Sequence, residues 1–238
     1  MHKYFKYSVF ETVTKTLFPF LLAGTTVLLA LGLYYSLFNS PADYQQGDTV
    51  RIMYLHVPAA SLSLLIYTII ALASASFLIW KNPLSVMVAN ASAPIGAVYA
   101  FLCLVTGAIW GYPMWGAWWV WDARLTSMLI LFFFYIGYIL LYRSFENNEQ
   151  ADRMASILAV VGIINVPIVK FSVDWWNTLH QPASLLRKGG VAIDPSMMTP
   201  LLLMIAAFSG MYFVLMILGV WKSRIDKKTA RIHLRYLS

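Results

Sequence analysis

The sequence predicts an all-α integral membrane protein with six transmembrane helices, and its composition and its apolar runs carry that prediction. Hydrophobic residues make up 60% of the 238 residues, whereas charged residues make up only 11%. The mean hydropathy is +0.69. Soluble domains carry about 25% charged residues, so this composition excludes a soluble globular protein. The length fits one domain, which we expect to cover residues 1–238.

Six apolar segments are long enough to form the spans. A helix needs about 20 mainly apolar residues to cross a hydrocarbon core of about 30 Å. In chain order, the segments that meet this requirement lie at about 17–38, 59–80, 86–109, 125–142, 154–171 and 200–221.

The distribution of positive charge predicts how these spans are oriented. Lys and Arg residues number 12 in one set of connecting segments, which comprises the N-terminus, 81–85, 143–153 and the C-terminal tail. They number 5 in the opposite set, which comprises 39–58, 110–124 and 170–199. Cytoplasmic loops carry the excess of Lys and Arg, so we expect both termini in the cytoplasm and the 110–124 segment in the periplasm. The basic tail favours contact with anionic membrane lipid, not with nucleic acid.

Tryptophan is concentrated on the predicted outer side. Five of the nine tryptophans lie in the sequence "WGYPMWGAWWVWDARLTS", residues 110–127. The seven tryptophans that we place on the outer side are Trp110, Trp115, Trp118, Trp119, Trp121, Trp175 and Trp176. Only Trp80 and Trp221 remain for the inner side, whereas a symmetrical aromatic belt would populate both interfaces. The asymmetry favours a binding surface, with interfacial anchoring as the alternative.

The spacing within this segment predicts a short helix lying in the membrane interface. After Gly111, Pro113 and Gly116, four residues recur at i, i+3, i+4 and i+7, namely Trp115, Trp118, Trp119 and Asp122. A face of indoles offers a platform for a large planar apolar ligand. We expect Asp122 to accept a hydrogen bond from an indole or to pair with Arg124.

Two histidines flank this platform on the predicted outer side. His56 lies in "RIMYLHVPAA" before Pro58, and His180 lies in "VDWWNTLHQPAS" before Pro182. Imidazole is a common metal ligand, and paired axial ligands are one way in which proteins hold haem iron. The residues alone therefore favour haem, with His56 and His180 as axial ligands.

Four cations on the same side are candidates for binding the two haem propionates. Arginine grips a carboxylate with two parallel hydrogen bonds, and we expect Arg51 and Arg124 to do so. Arg187 and Lys188 are the alternative ligands for the propionates. All four of Trp175, Trp176, Arg187 and Lys188 are also candidates for contact with a partner protein or with haem. The only cysteine, Cys103, lies in an apolar run, and the chain has no CxxCH motif, so it is not itself a c-type cytochrome.

These motifs together carry a family resemblance. "WGYPMWGAWWVWDARLTS" resembles the signature of the WWD haem-handling proteins of cytochrome c biogenesis. "MYLHVPAA" and "SVDWWNTLHQPAS" narrow the resemblance to the CcmC family, the membrane haem-handling subunits of the bacterial cytochrome c maturation system. The resemblance runs over nearly the whole chain.

The resemblance implies a haem-handling role at the periplasmic face of the bacterial inner membrane. Haem b would be a transient cargo, held on a platform of Trp110, Trp115, Trp118, Trp119, Trp121 and Asp122 between His56 and His180. It would pass to the periplasmic haem chaperone CcmE. The implied partners are the ATP-binding cassette (ABC) transporter subunits CcmA and CcmB and the small membrane subunit CcmD. A protein that positions haem for covalent attachment is favoured over a free-standing enzyme.

Three other functions remain as alternatives. A membrane b-type electron-transfer cytochrome would hold haem permanently, usually with histidines at membrane depth. A WWD-type haem lyase or synthetase would attach haem to the apocytochrome itself, although such relatives are larger. A scaffold subunit would use the tryptophans only as anchors. Polar residues inside the predicted spans, such as Asn90, Ser92 and Asn165, either line a passage or join neighbouring helices.

Overall fold

A computed structural model describes residues 7–144, 148–180 and 193–237 of the chain. In these ranges the regular structure is helical throughout, apart from one isolated bridge between Asp43 and Gly47. The α-helices are α1 (Tyr7–Tyr34), α2 (Met53–Trp80), α3 (Pro83–Trp115), α4 (Ala123–Ser144), α5 (Asn148–Gly162), α6 (Asn165–Trp175) and α7 (Pro195–Leu237). Short π and 3-10 turns at Tyr35–Asn39 and Asp48–Ile52 lie between α1 and α2.

Six helical segments of the described residues are long and apolar enough to cross a membrane, with α5 and α6 together forming one of them. The predicted all-α fold class with six spanning helices is therefore confirmed. Several helices extend beyond the predicted spans. The reason is that apolar length marks the hydrocarbon-crossing part of a helix, whereas capping residues decide where the helix ends.

The turn between α2 and α3 shows such capping. Lys81 adopts a left-handed conformation (φ 53°), and its N–H donates to the Phe77 carbonyl at the end of α2. The Asn82 side chain then accepts from the N–H of Leu84, and Pro83 occupies the first helical position. Two residues thus join α2 to α3, and the two helices pack against each other along their length.

The predicted interfacial helix at residues 115–122 is wrong. The α3 helix continues through Gly111 and Pro113 to Trp115 and ends at Gly116, which adopts φ +72°. The N–H of Gly116 caps the helix on the Tyr112 carbonyl at 2.9 Å. Only glycine adopts this conformation without strain, so the helical spacing of the tryptophans does not correspond to a helix. Residues 117–122 are not helical.

The predicted span 154–171 is interrupted. α5 ends at Gly162 and α6 begins at Asn165, with a turn at residues 163–164. Proline has no N–H to donate to the carbonyl four residues before it, which explains why Pro167 leaves the backbone of Ile163 outside a regular helix. The Asn165 side chain donates to the Ser127 carbonyl at 2.9 Å and so fixes the start of α6 against α4.

The α1 helix packs antiparallel on α7 through small and hydroxyl-bearing residues. Its buried residues are Thr14, Thr25 and Gly32. The Trp221 indole donates to Thr14 at 3.1 Å, Thr25 lies against Gly210, and Gly32 lies against Met204. Small residues let helix backbones approach closely in a membrane, and here they attach α1 to the outside of the bundle.

Polar residues inside the bundle join neighbouring helices. The Asn90 amide donates to Asp152 on α5 at 3.0 Å and accepts from the Tyr138 hydroxyl on α4 at 2.8 Å. Ser92 and Tyr212 share a hydrogen bond of 3.0 Å between α3 and α7. These contacts correspond to the helix-packing alternative, not to the passage.

Candidate functional site

A cavity of about 1110 Å³ lies at the end of the bundle where α3 and α6 end and α2, α4 and α7 begin. Typical small-molecule pockets measure about 300–1,000 Å³, so this cavity has room for a large ligand. Its walls come from the 41–46 loop, from the ends of these helices and from Trp119, Leu179 and His180. His56 and His180, far apart in the sequence, both line it.

His56 lies in the first turns of α2, whereas the family resemblance places it in a loop. Its Nδ1 atom is 3.1 Å from the Thr106 hydroxyl on α3. That hydroxyl donates to the Leu102 carbonyl at 2.6 Å, which leaves its oxygen available as an acceptor for a proton on His56 Nδ1. With the proton on Nδ1, the Nε2 lone pair is free to act as a ligand, since the hydrogen bond at one ring nitrogen sets the role of the other.

Two neighbours on α3 shape the position of the His56 ring. A Cβ atom at Gly107 would lie 3.1 Å from His56 Cε1, so glycine provides the space for the imidazole. The Trp110 ring meets the imidazole edge-on, with ring centroids 5.6 Å apart. The Trp110 indole N–H donates to the Gln46 side chain at 2.7 Å.

The 41–46 loop holds Gln46 in this position through its own hydrogen bonds. The Asp43 carboxylate accepts from the N–H groups of Gln45 and Gln46 at 2.9 and 2.8 Å. Gly47 closes the turn at φ +56°, a conformation that favours glycine. The loop thus fixes the Trp110 indole through Gln46.

His180 follows α6 and packs against the Trp115 ring, with centroids 4.9 Å apart. Its Nδ1 atom is 3.5 Å from the Asp122 carboxylate. Burial lowers the pKa of His180, and the Asp122 carboxylate opposes that shift. The imidazole is therefore neutral near pH 7, which is the form that ligates a metal.

Asp122 joins the end of the tryptophan-rich segment to the start of α4. Its Oδ1 atom accepts from the N–H of Leu125 at 2.8 Å, and its carbonyl accepts from the N–H of Thr126 at 3.1 Å. These are the contacts of a helix N-cap. The carboxylate thus meets Leu125 and His180, rather than an indole or Arg124 as the sequence had suggested.

The seven tryptophans of the predicted outer side separate into two groups. Trp110, Trp115 and Trp119 are partly buried and line the cavity. The other four are more than half exposed and do not line it; they are Trp118, Trp121, Trp175 and Trp176. Trp118 instead stacks on Tyr112, with ring centroids 4.4 Å apart, and Trp121 meets Trp119 edge-on. The candidate site therefore has separate aromatic walls instead of one flat platform.

The candidate propionate-binding cations also differ in whether they line the cavity. Arg124 lines the cavity, and its guanidinium donates to Ser172 and to the Lys170 carbonyl, both at 3.2 Å. Arg51 does not line it, because its guanidinium donates to the carbonyls of Leu37 and Ser40 and pairs with Asp48 at 3.1 Å. Arg187 and Lys188 lie outside the described residues.

Sequence reasoning missed three residues of this site, which are Gln46, Thr106 and Lys170. Lys170 lines the cavity beside Arg124, although its position within the predicted span 154–171 did not suggest a propionate-binding cation. Thr106 lies four residues before Trp110 on α3, and this spacing places the two on one helix face. The spacing from Trp110 could therefore have indicated Thr106, whereas nothing in the sequence indicated Gln46.

Comparison with known proteins agrees with this architecture. The sequence model of the family described as CcmC, Heme exporter protein C, matches residues 1–235. The chain belongs to the CcmC family. The resemblance that the motifs carried is thereby confirmed.

Relatives of the chain in the CcmC family include several bacterial proteins named Heme exporter protein C. The chain is 50% identical to that of Bradyrhizobium diazoefficiens over 222 residues, which cover 93% of this chain and 84% of the relative. It is 48% identical to that of Escherichia coli K12 over 183 residues, which cover 77% and 74%. It is 45% identical to that of Haemophilus influenzae over 212 residues, which cover 89% and 86%.

Proposed function

We propose that this CcmC-family protein binds haem in the cavity at the outer end of the bundle and delivers it for the biogenesis of c-type cytochromes. The observation that carries the proposal is the meeting of His56 and His180 at one cavity walled by indoles. The relatives named Heme exporter protein C support haem as the cargo. Haem iron takes four ligands from its porphyrin, so two imidazoles complete its coordination.

Each wall of the cavity has a part in holding haem. Nε2 of His56 and Nε2 of His180 are the axial ligands. The indoles of Trp110, Trp115 and Trp119 contact the porphyrin, whose large apolar surface favours burial against aromatic rings. Arg124 and Lys170 bind the propionates, because both cations line the same cavity.

The rim of the cavity is where haem leaves. Trp118 and Trp121 are 57% and 75% exposed and adjoin the tryptophans that line the cavity. The recipient is the periplasmic haem chaperone CcmE, and haem b is a transient cargo. The complex includes the ABC transporter subunits CcmA and CcmB and the small subunit CcmD. Holding the haem edge in a fixed orientation favours its covalent attachment to the chaperone.

The orientation of the protein follows from its charge. The protein is a single six-helix domain of the bacterial inner membrane, with both termini in the cytoplasm and the cavity open to the periplasm. The excess of Lys and Arg on the inner side supports this topology.

Absorption spectra of the purified protein test the haem site. We expect His56→Ala and His180→Ala each to abolish the spectrum of haem with two imidazole ligands. His233→Ala, near the opposite end of α7, is the matched control and should leave that spectrum unchanged. If both cavity variants retain the wild-type spectrum, the axial assignment is wrong.

Transfer to the chaperone separates this function from electron transfer. The two histidines lie in the first turns of α2 and after the end of α6, whereas electron-transfer cytochromes set histidine pairs deeper within their helices. We expect haem-loaded protein to lose its haem to purified apo-chaperone in a mixing experiment. Haem that stays bound in the presence of excess chaperone would favour the b-type cytochrome instead.

A further inference from the structure

The Nδ1 atoms of the two cavity histidines face different groups. Nδ1 of His56 is 3.1 Å from the hydroxyl of Thr106. Nδ1 of His180 is 3.5 Å from Oδ2 of Asp122. In each case the facing atom is an acceptor, and in each case the imidazole lines the cavity. A hydrogen bond to either acceptor requires that the imidazole carry its proton on Nδ1.

The Asp122 contact is the more consequential of the two because both of its atoms are buried. Among the described residues, neither Nδ1 of His180 nor Oδ2 of Asp122 has another hydrogen-bond partner. A buried polar atom without a partner costs about 1–3 kcal/mol. Within the described part of the chain the two atoms can satisfy only each other, and a small movement would shorten 3.5 Å to the usual 2.7–2.9 Å of a charge-assisted bond.

The orientation of the Asp122 carboxylate is fixed by the fold. Its other oxygen, Oδ1, caps α4 by accepting from the N–H of Leu125 at 2.8 Å. One oxygen therefore attaches the side chain to the helix, and the other faces the histidine. Thr106 is fixed in the same manner, since its hydroxyl proton is committed to the Leu102 carbonyl at 2.6 Å.

We propose that Asp122 and Thr106 are positioning residues, which hold His180 and His56 in the tautomer protonated at Nδ1 and so keep both Nε2 atoms unprotonated for the cargo iron. This inference rests on the proposed function for its cargo. The tautomers themselves are properties of the haem-free protein. Partners of this kind typically change metal affinity about 10- to 100-fold when they are removed.

Asp122→Asn gives the sharpest test, because asparagine is as good an N-cap as aspartate. Its amide oxygen takes the capping bond to Leu125, and its NH2 group then faces Nδ1 of His180. A donor in that position favours the tautomer protonated at Nε2, as in the aspartate-to-asparagine variant of the serine protease triad. The variant therefore keeps the fold and the helix cap but reverses the tautomer of His180.

The measurement is 15N NMR of histidine-labelled, haem-free protein, followed by titration with haem. We expect His180 to move from the Nδ1–H to the Nε2–H tautomer in Asp122→Asn, with haem affinity reduced about 10- to 100-fold. Asp48→Asn is the control, because Asp48 is a carboxylate near the start of α2 that pairs with Arg51 at 3.1 Å and does not line the cavity. It should change neither the tautomer nor the affinity.

Thr106 is tested by a pair of variants. Thr106→Val keeps the shape of the side chain but removes the hydroxyl acceptor and leaves the Cys103 carbonyl as the other acceptor near the His56 ring. The Nδ1–H signal of His56 should therefore diminish and haem should bind more weakly. Thr106→Ser restores the hydroxyl and should restore both.

The outcomes separate the two proposals. Unchanged histidine tautomers in Asp122→Asn and Thr106→Val would overturn the inference, even if His56→Ala and His180→Ala abolish the haem spectrum. Shifted tautomers with no haem binding in any variant, wild type included, would leave the positioning geometry intact and overturn the haem proposal.

Discussion

The two histidines of the cavity differ in the elements that carry them. His56 belongs to α2 and is packed between Gly107 and Trp110 on α3, so its backbone is held by a long helix. His180 lies in a non-helical segment after α6, and its ring is held by Trp115 and Asp122. In the proposed haem complex, the ligand from the loop is therefore the one with the greater freedom to move away from the iron.

At this scale, acid should release His180 from the iron. Burial lowers the pKa of His180 from its ordinary value of 6.5. Between the lowered pKa and pH 6.5 the unfolded chain binds a proton that the folded chain does not, so stability falls as the pH drops below 6.5. We expect ligation by His180 to persist through pH 6.5 and to be lost at lower pH, as followed by absorbance. Loss of ligation above pH 6.5 would contradict this prediction.

The space at Gly107 gives a second prediction at the scale of one residue. A Cβ atom there would lie 3.1 Å from Cε1 of His56, so Gly107→Ala must displace the imidazole. Overpacking of this kind costs about 1–3 kcal/mol, and we expect weaker haem binding in a titration. Gly24→Ala is the control, since nothing lies within 4 Å of a Cβ atom at that helical position. It should leave haem binding unchanged, and equal effects of the two variants would refute the steric explanation.

At the scale of elements, the tryptophan-rich segment is a connection held at both ends. Gly116 ends α3 in a left-handed conformation, and Asp122 begins α4 as its N-cap. Between these two points the chain is not helical, so the neighbouring residues Trp118 and Trp119 face different surroundings. One lies exposed against Tyr112, and the other lines the cavity.

This division predicts different effects for tryptophans that are adjacent in the sequence. Trp115→Leu and Trp119→Leu should lower the affinity of the purified protein for haem, because each removes an aromatic wall of the cavity. Trp118→Leu and Trp121→Leu should leave that affinity within about 2-fold, which is an energy difference below 0.5 kcal/mol. Haem titration of the four variants in one detergent makes the comparison. Equal losses in all four would favour a single platform.

At the scale of the whole molecule, the two ends of the bundle differ in character. One end carries the cavity and most of the tryptophans, whereas the other carries the basic extension of α7. The cavity lies where α2, α3, α4, α6 and α7 meet, and α1 packs outside them against α7. A ligand at this end touches segments from most of the chain, so its binding would stabilise their arrangement as a whole.

Cysteine labelling tests the proposed orientation of these ends. In a Cys103→Ala background, we expect Trp121→Cys to react in intact cells with a thiol reagent that cannot cross the inner membrane. Lys228→Cys, exposed at the other end of α7, should react only after the membrane is made permeable. The reverse pattern would place the cavity in the cytoplasm.

The spans, the family and the two candidate ligands follow from the sequence by itself. Apolar length is a local property, and it locates each crossing helix without knowledge of its neighbours. His56 and His180 stand in local motifs beside prolines and tryptophans, so their pairing was predictable from resemblance. Pro167 was a local signal for the interruption between α5 and α6. The prediction of the span 154–171 rested on apolar length alone and did not use it.

The tertiary structure decided which side chains meet at the cavity. Arg51 and Arg124 look equivalent in the sequence, yet one is committed to the backbone before α2 and the other lines the cavity beside Lys170. Thr106 faces His56 only because α2 and α3 pack together in one particular register. Such pairings depend on distances between residues far apart in the chain, and helical periodicity carries no information about them.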